Sequence, residues 1–154
     1  MRTEPALALA VALTCACTGM PDRSRSDDSV TFTLQAGPRN AGQVGKALMG
    51  PQGDRTAITL TVTGVPPWVG RPVQLYTFVY AGSCAGHDPA PAYALNEVVQ
   101  AGLFSNSGAF GPFTLVKLVP ASMAALRSRP YALVVRTSPA DGNVDIFCGE
   151  MNSM

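Results

Sequence analysis

The sequence predicts an all-β domain, an antiparallel Greek-key sandwich or barrel of about eight strands with one short helical turn and one disulfide. Two patterns favour this fold class. Apolar residues alternate with polar residues at a period of two, and glycine and proline clusters interrupt the alternation at short intervals. The chain has 154 residues, of which 47% are hydrophobic and 14% are charged. This length and composition suit one domain with a substantial core.

The alternation is clearest in the segments 30–35 and 58–63. Because successive side chains of a strand point to opposite faces of a sheet, it predicts strands with one buried and one solvated face. Turn-forming pairs separate the segments, at Gly37-Pro38, Gly50-Pro51, Pro66-Pro67, Gly111-Pro112 and Asp141-Gly142. The predicted strands lie near residues 30–36, 43–49, 56–64, 72–81, 95–100, 112–119, 131–137 and 144–149.

One short helical turn is predicted from Ser122 to Leu126. Ser122 suits the N-cap position because its hydroxyl can accept a hydrogen bond from a backbone N–H group of the first turn. Pro130 follows and ends the helical segment before the next predicted strand.

Residues 1–17 are predicted to be a signal peptide, with an apolar run from Ala6 to Ala16 that is too short to span a membrane. The end of this run resembles a bacterial lipobox, with Cys17 as the lipidated residue and Cys15 as the alternative. Neither register is perfect, because the leucine expected three residues before Cys17 is displaced by one position. Plain secretion and a structural N-terminal helix stay open as alternatives to a lipid anchor.

Residues 18–29 are polar and suit a flexible tether, which leaves residues 30–154 as the β-domain. We expect the protein in the bacterial cell envelope, held by a lipid anchor and facing the periplasm or the outside, or otherwise secreted. The formal net charge is +1 and the basic residues are scattered along the chain. Nucleic acid is therefore not an expected partner.

Cys84 and Cys148 lie in the predicted β-domain, far from the two N-terminal cysteines. In an exported chain we expect them to form a disulfide, because oxidising compartments favour the bridge. Two buried free thiols are the alternative. The chain has no C-x-x-C motif, so thiol oxidoreductase chemistry is not expected.

Three segments of the predicted domain, 78–84, 131–141 and 147–149, carry the sequences FVYAGSC, YALVVRTSPAD and FCG. They resemble segments of the bacterial CHRD-like and copper/zinc superoxide dismutase-like β-sandwiches. In those families a strand close to HIHAGSC leads into a loop, a later strand carries a histidine before SPAD, and the chain ends in CG. The resemblance covers roughly residues 30–151. It implies the sandwich fold and a bridge between Cys84 and Cys148.

The metal ligands of those families are missing from this chain. Phe78 and Tyr80 stand where the resemblance implies two histidines, and Arg136 stands where it implies another. The chain has a single histidine, His87, whereas copper in such sites is held by several imidazoles. We therefore expect no metal, no cofactor and no catalytic residue, and we expect His87 to face solvent in a loop.

An aromatic stripe occupies the strand where the ligands would be. Tyr76, Phe78 and Tyr80 alternate along it and therefore share one of its faces. Two interpretations stay open. The loop from Ala85 to Tyr93 could cover the rings as a second small core, or the rings could form a partly open groove for a ligand or partner.

The resemblance also places Arg136 close to the stripe, where it could stack on a ring or pair with an acid such as Asp141. We therefore predict a non-catalytic binding or structural module, tethered in the envelope, that contacts the membrane through its anchor and binds an envelope protein or a small ligand. A copper/zinc superoxide dismutase-class protein or a periplasmic metal carrier is the alternative. The predicted contact patch consists of Tyr76, Phe78, Tyr80 and Arg136.

Overall fold

The computed structural model describes residues 28–101 and 111–152. Over these residues the protein is all-β, with nine strands in one antiparallel sheet that curls into a half-barrel. The strands are β1 (Val30–Ala36), β2 (Val44–Gln52), β3 (Arg55–Val62), β4 (Tyr76–Ser83), β5 (Gly86–His87), β6 (Tyr93–Ala94), β7 (Phe113–Val119), β8 (Tyr131–Arg136) and β9 (Asp145–Glu150). The predicted fold class is confirmed.

Across the sheet the strands follow the order β5-β4-β8-β9-β1-β2-β3-β7, and β6 also pairs with β4. A 3-10 helix, Pro38–Asn40, connects β1 to β2, and a second, Pro139–Asp141, lies between β8 and β9. The first and last parts of the domain therefore meet in the middle of the sheet, where β1 pairs with β9. Strands β4 and β7, which come from the middle of the sequence, lie toward opposite ends of it.

Strand β2 is longer than predicted. The pair Gly50-Pro51 is predicted as a turn, but the strand continues through it to Gln52. The pairing of β1 with β2 begins at Met49, so beyond that point β2 is paired on the β3 side alone. Proline lacks a backbone N–H group and is tolerated where one side of a strand has no partner. The turn instead begins at Gly53, whose φ of +65° favours glycine.

The strand predicted near 95–100 is wrong, and β4 begins at Tyr76 rather than near residue 72. In place of a strand pair the structure has one isolated bridge between Gln74 and Gln100. Two backbone hydrogen bonds flank this bridge, from Leu75 N to Val99 O at 2.7 Å and from Ala101 N to Val73 O at 2.8 Å. The two strands that the sequence analysis missed, β5 and β6, have two residues each, which is too short for a period-two signal.

The hydrophobic core fills the inside of the half-barrel. Inward-facing side chains of the long strands are almost fully buried, for example Leu34, Met49, Ile58, Leu133 and Phe147. Burial of each such side chain contributes about 1.5–3 kcal/mol. Gly149 shows how closely this core is packed, because a Cβ atom there would lie 2.6 Å from Leu34 Cδ2.

The one α-helix of the described residues, α1, spans Met123–Arg127 and begins one residue later than the predicted turn. The predicted N-cap is confirmed, since Ser122 Oγ accepts a hydrogen bond from Ala125 N at 3.2 Å. Within the described ranges, none of the helical segments has the length and apolar character that a membrane crossing requires.

The predicted signal peptide (1–17), with Cys15 and Cys17, lies outside the described residues, as does most of the predicted tether (18–29). These predictions stay predictions.

Candidate functional site

The disulfide between Cys84 and Cys148 is present, with the two Cα atoms 5.8 Å apart. It joins the residue after β4 to the last strand, β9, across the intervening β8. Both cysteines are partly exposed, and the backbone N–H of Cys84 donates to Glu150 Oε1 at 2.7 Å. The bridge therefore lies on the outer face of the sheet, and it fixes the start of the segment that follows β4.

The predicted contact patch, which we call the aromatic–arginine patch, consists of Tyr76, Phe78, Tyr80 and Arg136. The three aromatic residues lie on the outer face of β4, because their strand neighbours Thr77 and Val79 are buried on the inner side. Strand β8 runs beside β4 and places Arg136 opposite Tyr76 in the register. The alternation in the sequence therefore predicts that the three rings share one face of β4. The antiparallel pairing of β4 with β8 adds the guanidinium of Arg136 to that face.

Ring and charge contacts join three members of the aromatic–arginine patch. The Arg136 guanidinium carbon lies 5.3 Å from the centre of the Phe78 ring and 5.5 Å from the centre of the Tyr80 ring. The two rings are 6.2 Å apart and tilted by 48°. Each cation–π contact of this kind is worth about 0.5–2 kcal/mol, depending on its exposure. Tyr76 lies at the end of the same face and is half-buried.

Arg136 pairs with Asp145 and not with Asp141, which corrects the acid suggested from the sequence. Arg136 Nε donates to Asp145 Oδ1, and the two residues lie opposite each other where β8 pairs with β9. Burial alone would lower the pKa of Arg136, but the hydrogen bond and charge of Asp145, with a smaller contribution from Tyr80, raise it above its ordinary value. The guanidinium is therefore a fixed positive charge over two rings.

Asp141 has a structural role in the turn between β8 and β9. Its carboxylate accepts hydrogen bonds from Ser138 Oγ at 2.7 Å and from the backbone N–H of Gly70 at 2.9 Å. These hydrogen bonds, the one from Ser138 first, lower the pKa of Asp141 below its ordinary value. The SPAD sequence thus ties the turn to the loop that precedes β4.

The segment after Cys84 covers one end of the aromatic stripe and leaves the other end open. Tyr80 is 2% exposed, and the His87 ring stacks on it with the ring centres 4.2 Å apart. Phe78 and Tyr76 stay partly exposed. The structure therefore has a small covered core at Tyr80 and a partly exposed ring at Phe78, and a groove for a ligand or partner stays a prediction.

His87 is not the solvent-facing loop residue that the sequence suggested. It lies in the short strand β5, which pairs with the end of β4, and it is only partly exposed. Its Nδ1 is 2.8 Å from the backbone oxygen of Asp88. The loop was predicted from its prolines, and the local sequence carries no signal for a pairing of two residues on each strand.

A buried lysine is a candidate functional residue that the sequence analysis missed. On β7, Phe113, Leu115 and Val119 point into the core. Lys117 continues this series of alternate positions, so its side chain also points inward, and it is 3% exposed. Its Nζ donates to the backbone oxygens of Val98 and Leu75, the latter at 3.4 Å. Burial lowers the pKa of Lys117 to about 8. The signal was available, because a lysine interrupts an otherwise apolar series at every second position.

Within the part of the chain that the structure describes, no group of three or more His, Cys, Asp and Glu side chains is placed to hold a metal ion. Comparison with models of protein families, with curated proteins and with solved structures finds no match to this chain. The resemblance to the CHRD-like and superoxide dismutase-like sandwiches therefore stays a prediction from three short segments. The site has to be interpreted from its own geometry.

Proposed function

We propose that this protein is a non-catalytic binding module, tethered in the bacterial cell envelope, and that the exposed part of the aromatic–arginine patch, without the buried Tyr80, is its contact surface. One observation carries the proposal. A guanidinium that is 21% exposed at its side chain lies over two rings, and one of them, Phe78, is itself partly exposed. Arginine and aromatic residues are enriched in the parts of interfaces that contribute most to binding.

The arrangement favours binding because it is already ordered. Asp145 accepts from Arg136 Nε, so the long arginine side chain has one preferred position before any partner arrives. Ordering such a side chain on binding otherwise costs about 0.5–1.5 kcal/mol. The terminal nitrogens of a guanidinium carry further N–H groups that suit a carboxylate or a carbonyl. We therefore expect a partner that presents an acceptor to Arg136 and an apolar group to Phe78.

Site-specific photocrosslinking tests the patch in the cells that make the protein. A photoreactive residue at Tyr76 should give a discrete crosslinked product, and the product should be lost when Arg136→Gln is added. The same probe at Thr114, an exposed position on β7 at the other end of the sheet, is the matched control. Equal products at both positions, or a product that survives Arg136→Gln in a variant with unchanged melting, would contradict the proposal.

Metal titration separates this function from the metalloprotein alternative. We expect the oxidised domain to bind neither copper nor zinc stoichiometrically. One tightly bound metal per chain would overturn the proposal and make His87→Ala the first variant to test.

The tether is a separate part of the proposal. Labelling of cells with an alkyne analogue of palmitate should mark the intact protein but not a Cys17→Ala variant. Unchanged labelling of that variant would move the anchor to Cys15, and absence of label on the intact protein would remove the anchor from the proposal.

A further inference from the structure

The two sides of the half-barrel's opening face each other across a cavity that the proposed contact patch does not use. On one side is β7, the last strand of the sheet. On the other side is the segment 94–98, which begins with the last residue of β6. Lys117 joins the two sides, because its side chain leaves β7 and its Nζ donates to the backbone oxygens of Val98 and Leu75.

The cavity has a volume of about 160 Å³, and polar and apolar groups contribute to its walls in about equal parts. By volume alone, a cavity of about 150 Å³ in a protein holds a benzene molecule, so this one has room for a ligand of roughly six non-hydrogen atoms. Lys117 lines it, with charged groups from two further elements, Arg55 of β3 and Glu97 of the facing segment. The apolar part of the wall is formed by Leu95, Val98, Val116, Leu118 and Pro120.

The chemical state of the amine follows from its surroundings. Among the described residues the one ion pair is that of Arg136 with Asp145, so no carboxylate offsets the charge of Lys117 there. Desolvation then makes the charged form less favourable than in water and lowers the pKa of the amine to about 8. A neutral amine has two N–H groups and one lone pair. Its two hydrogens can stay on the two backbone oxygens while the lone pair is free to react.

We propose that Lys117 is a covalent binding site for small aliphatic aldehydes, which it takes up in the cavity as an imine. The Nζ lone pair forms a bond to the carbonyl carbon, and one amine proton moves to the carbonyl oxygen to give a carbinolamine. Loss of the second amine proton with this hydroxyl releases one water and leaves the C=N bond. No oxidant or reductant is needed. Burial away from water is one of the ways in which a lysine is activated to form an imine.

A purely structural role for Lys117 makes different predictions. A charged residue that points inward from the last strand of a sheet discourages pairing with another chain. In that role the amine needs only its charge and its two hydrogen bonds, and it has no preference for an aldehyde. The chain provides its own comparison, because its only other lysine is Lys46, which is exposed on β2.

The test uses the full oxidised chain with pentanal near neutral pH, followed by reduction with borohydride and peptide mapping by mass spectrometry. We expect Lys117 to be modified at least about tenfold faster than Lys46. A lysine with a pKa near 8 is neutral in roughly a tenth of the molecules at pH 7, against less than about a thousandth for an ordinary exposed lysine. Lys117→Arg should remove the fast site, and Lys46→Arg should leave it unchanged. Mapping separates both lysines from the α-amino group.

Two results would overturn the proposal. One is modification of Lys46 at the same rate as Lys117 or faster, and the other is modification of Lys117 only after urea has unfolded the chain. Both are measured within the wild-type molecule, so they do not depend on the folding of a variant. Pyrene-carboxaldehyde, whose fused rings do not fit a space of about 160 Å³, should lower the ratio of the Lys117 rate to the Lys46 rate about tenfold. An unchanged ratio would exclude the cavity as the binding site.

Discussion

Replacing Lys117 by methionine should change how the stability of this protein depends on pH. Lys117 is 3% exposed and its pKa falls from 10.5 to about 8 on folding. The folded chain therefore binds this proton more weakly than the unfolded chain does. As a result, the free energy of unfolding should rise with pH between about 8 and 10.5. A methionine has no proton to lose, so the variant should lack this rise.

The magnitude follows from the two pKa values. A tenfold difference in proton affinity corresponds to about 1.4 kcal/mol, so the charged amine lowers the stability of the fold by about 3 kcal/mol below pH 8. Between pH 7 and pH 10 the wild type should regain about 2.5 kcal/mol relative to Lys117→Met. The variant also loses two hydrogen bonds to backbone oxygens, at about 1 kcal/mol each. The loss of these hydrogen bonds contributes a constant difference between the free energies of unfolding of the two proteins. It does not produce a difference that changes with pH.

The assay is equilibrium unfolding in urea, followed by circular dichroism, for wild type and Lys117→Met at several pH values. Titration of the tyrosines contributes equally to both proteins and cancels in the difference. Lys46→Met, at the exposed lysine, is the control. Its free energy of unfolding should change with pH in the same way as that of the wild type. A constant difference between wild type and Lys117→Met from pH 7 to pH 10 would refute the reasoning, because the buried amine would then keep the proton affinity of an exposed one.

Three further predictions concern other parts of the fold. Cys84→Ser and Cys148→Ser should each lower the free energy of unfolding by about 4 kcal/mol, since the bridge closes a separation of 64 residues. The double variant should be no less stable than either single variant. Clearly unequal single effects in thermal melting would argue against a shared bridge. Tyr80→Ala should lower the free energy of unfolding by about 3–5 kcal/mol, because the ring is buried under His87. Phe78→Ala, at a partly exposed ring, should lower it by less than half as much. Equal melting temperatures of these two variants would mean that the segment after Cys84 does not cover Tyr80. Asp141→Ala should lower the free energy of unfolding by about 1–2 kcal/mol near neutral pH, because it removes the hydrogen bonds from Ser138 and Gly70. Since folding lowers the pKa of Asp141, this difference from wild type should disappear as the pH falls below the ordinary carboxyl range. A difference that persists in acid would show that the charge of the carboxylate is not involved.

Much of the fold could be predicted because its signals are local. The alternation in segments such as 30–35 depends only on which side chains share a face of a strand, and the sheet places them as expected. The N-cap at Ser122 likewise depends on neighbours within one turn. The short pairings of His87 and Tyr93 with β4 could not be predicted in this way, because each involves two residues of a strand and a partner chosen by the rest of the fold.

The candidate site was likewise predictable only where its signals are local. The sequence placed Phe78 and Tyr80 on one face, since that needs only a period of two. It suggested the wrong acid for Arg136, because Asp141 is nearer along the chain than Asp145 and only the register of β8 with β9 selects Asp145. Which ring stays open was also undetermined, since it depends on where the segment after Cys84 lies.

By itself, the amino-acid sequence determined the all-β class, most of the strands, the helix cap and the residues of the aromatic stripe, because each follows from the chemistry of close neighbours. The tertiary structure decided the partner of Arg136, the cover over Tyr80 and the state of Lys117. A lysine within an apolar strand is visible in the sequence, but its environment is not. Only the curling of the sheet brings β7 against the segment 94–98 and removes water from the amine, and that loss of water lowers its affinity for the proton.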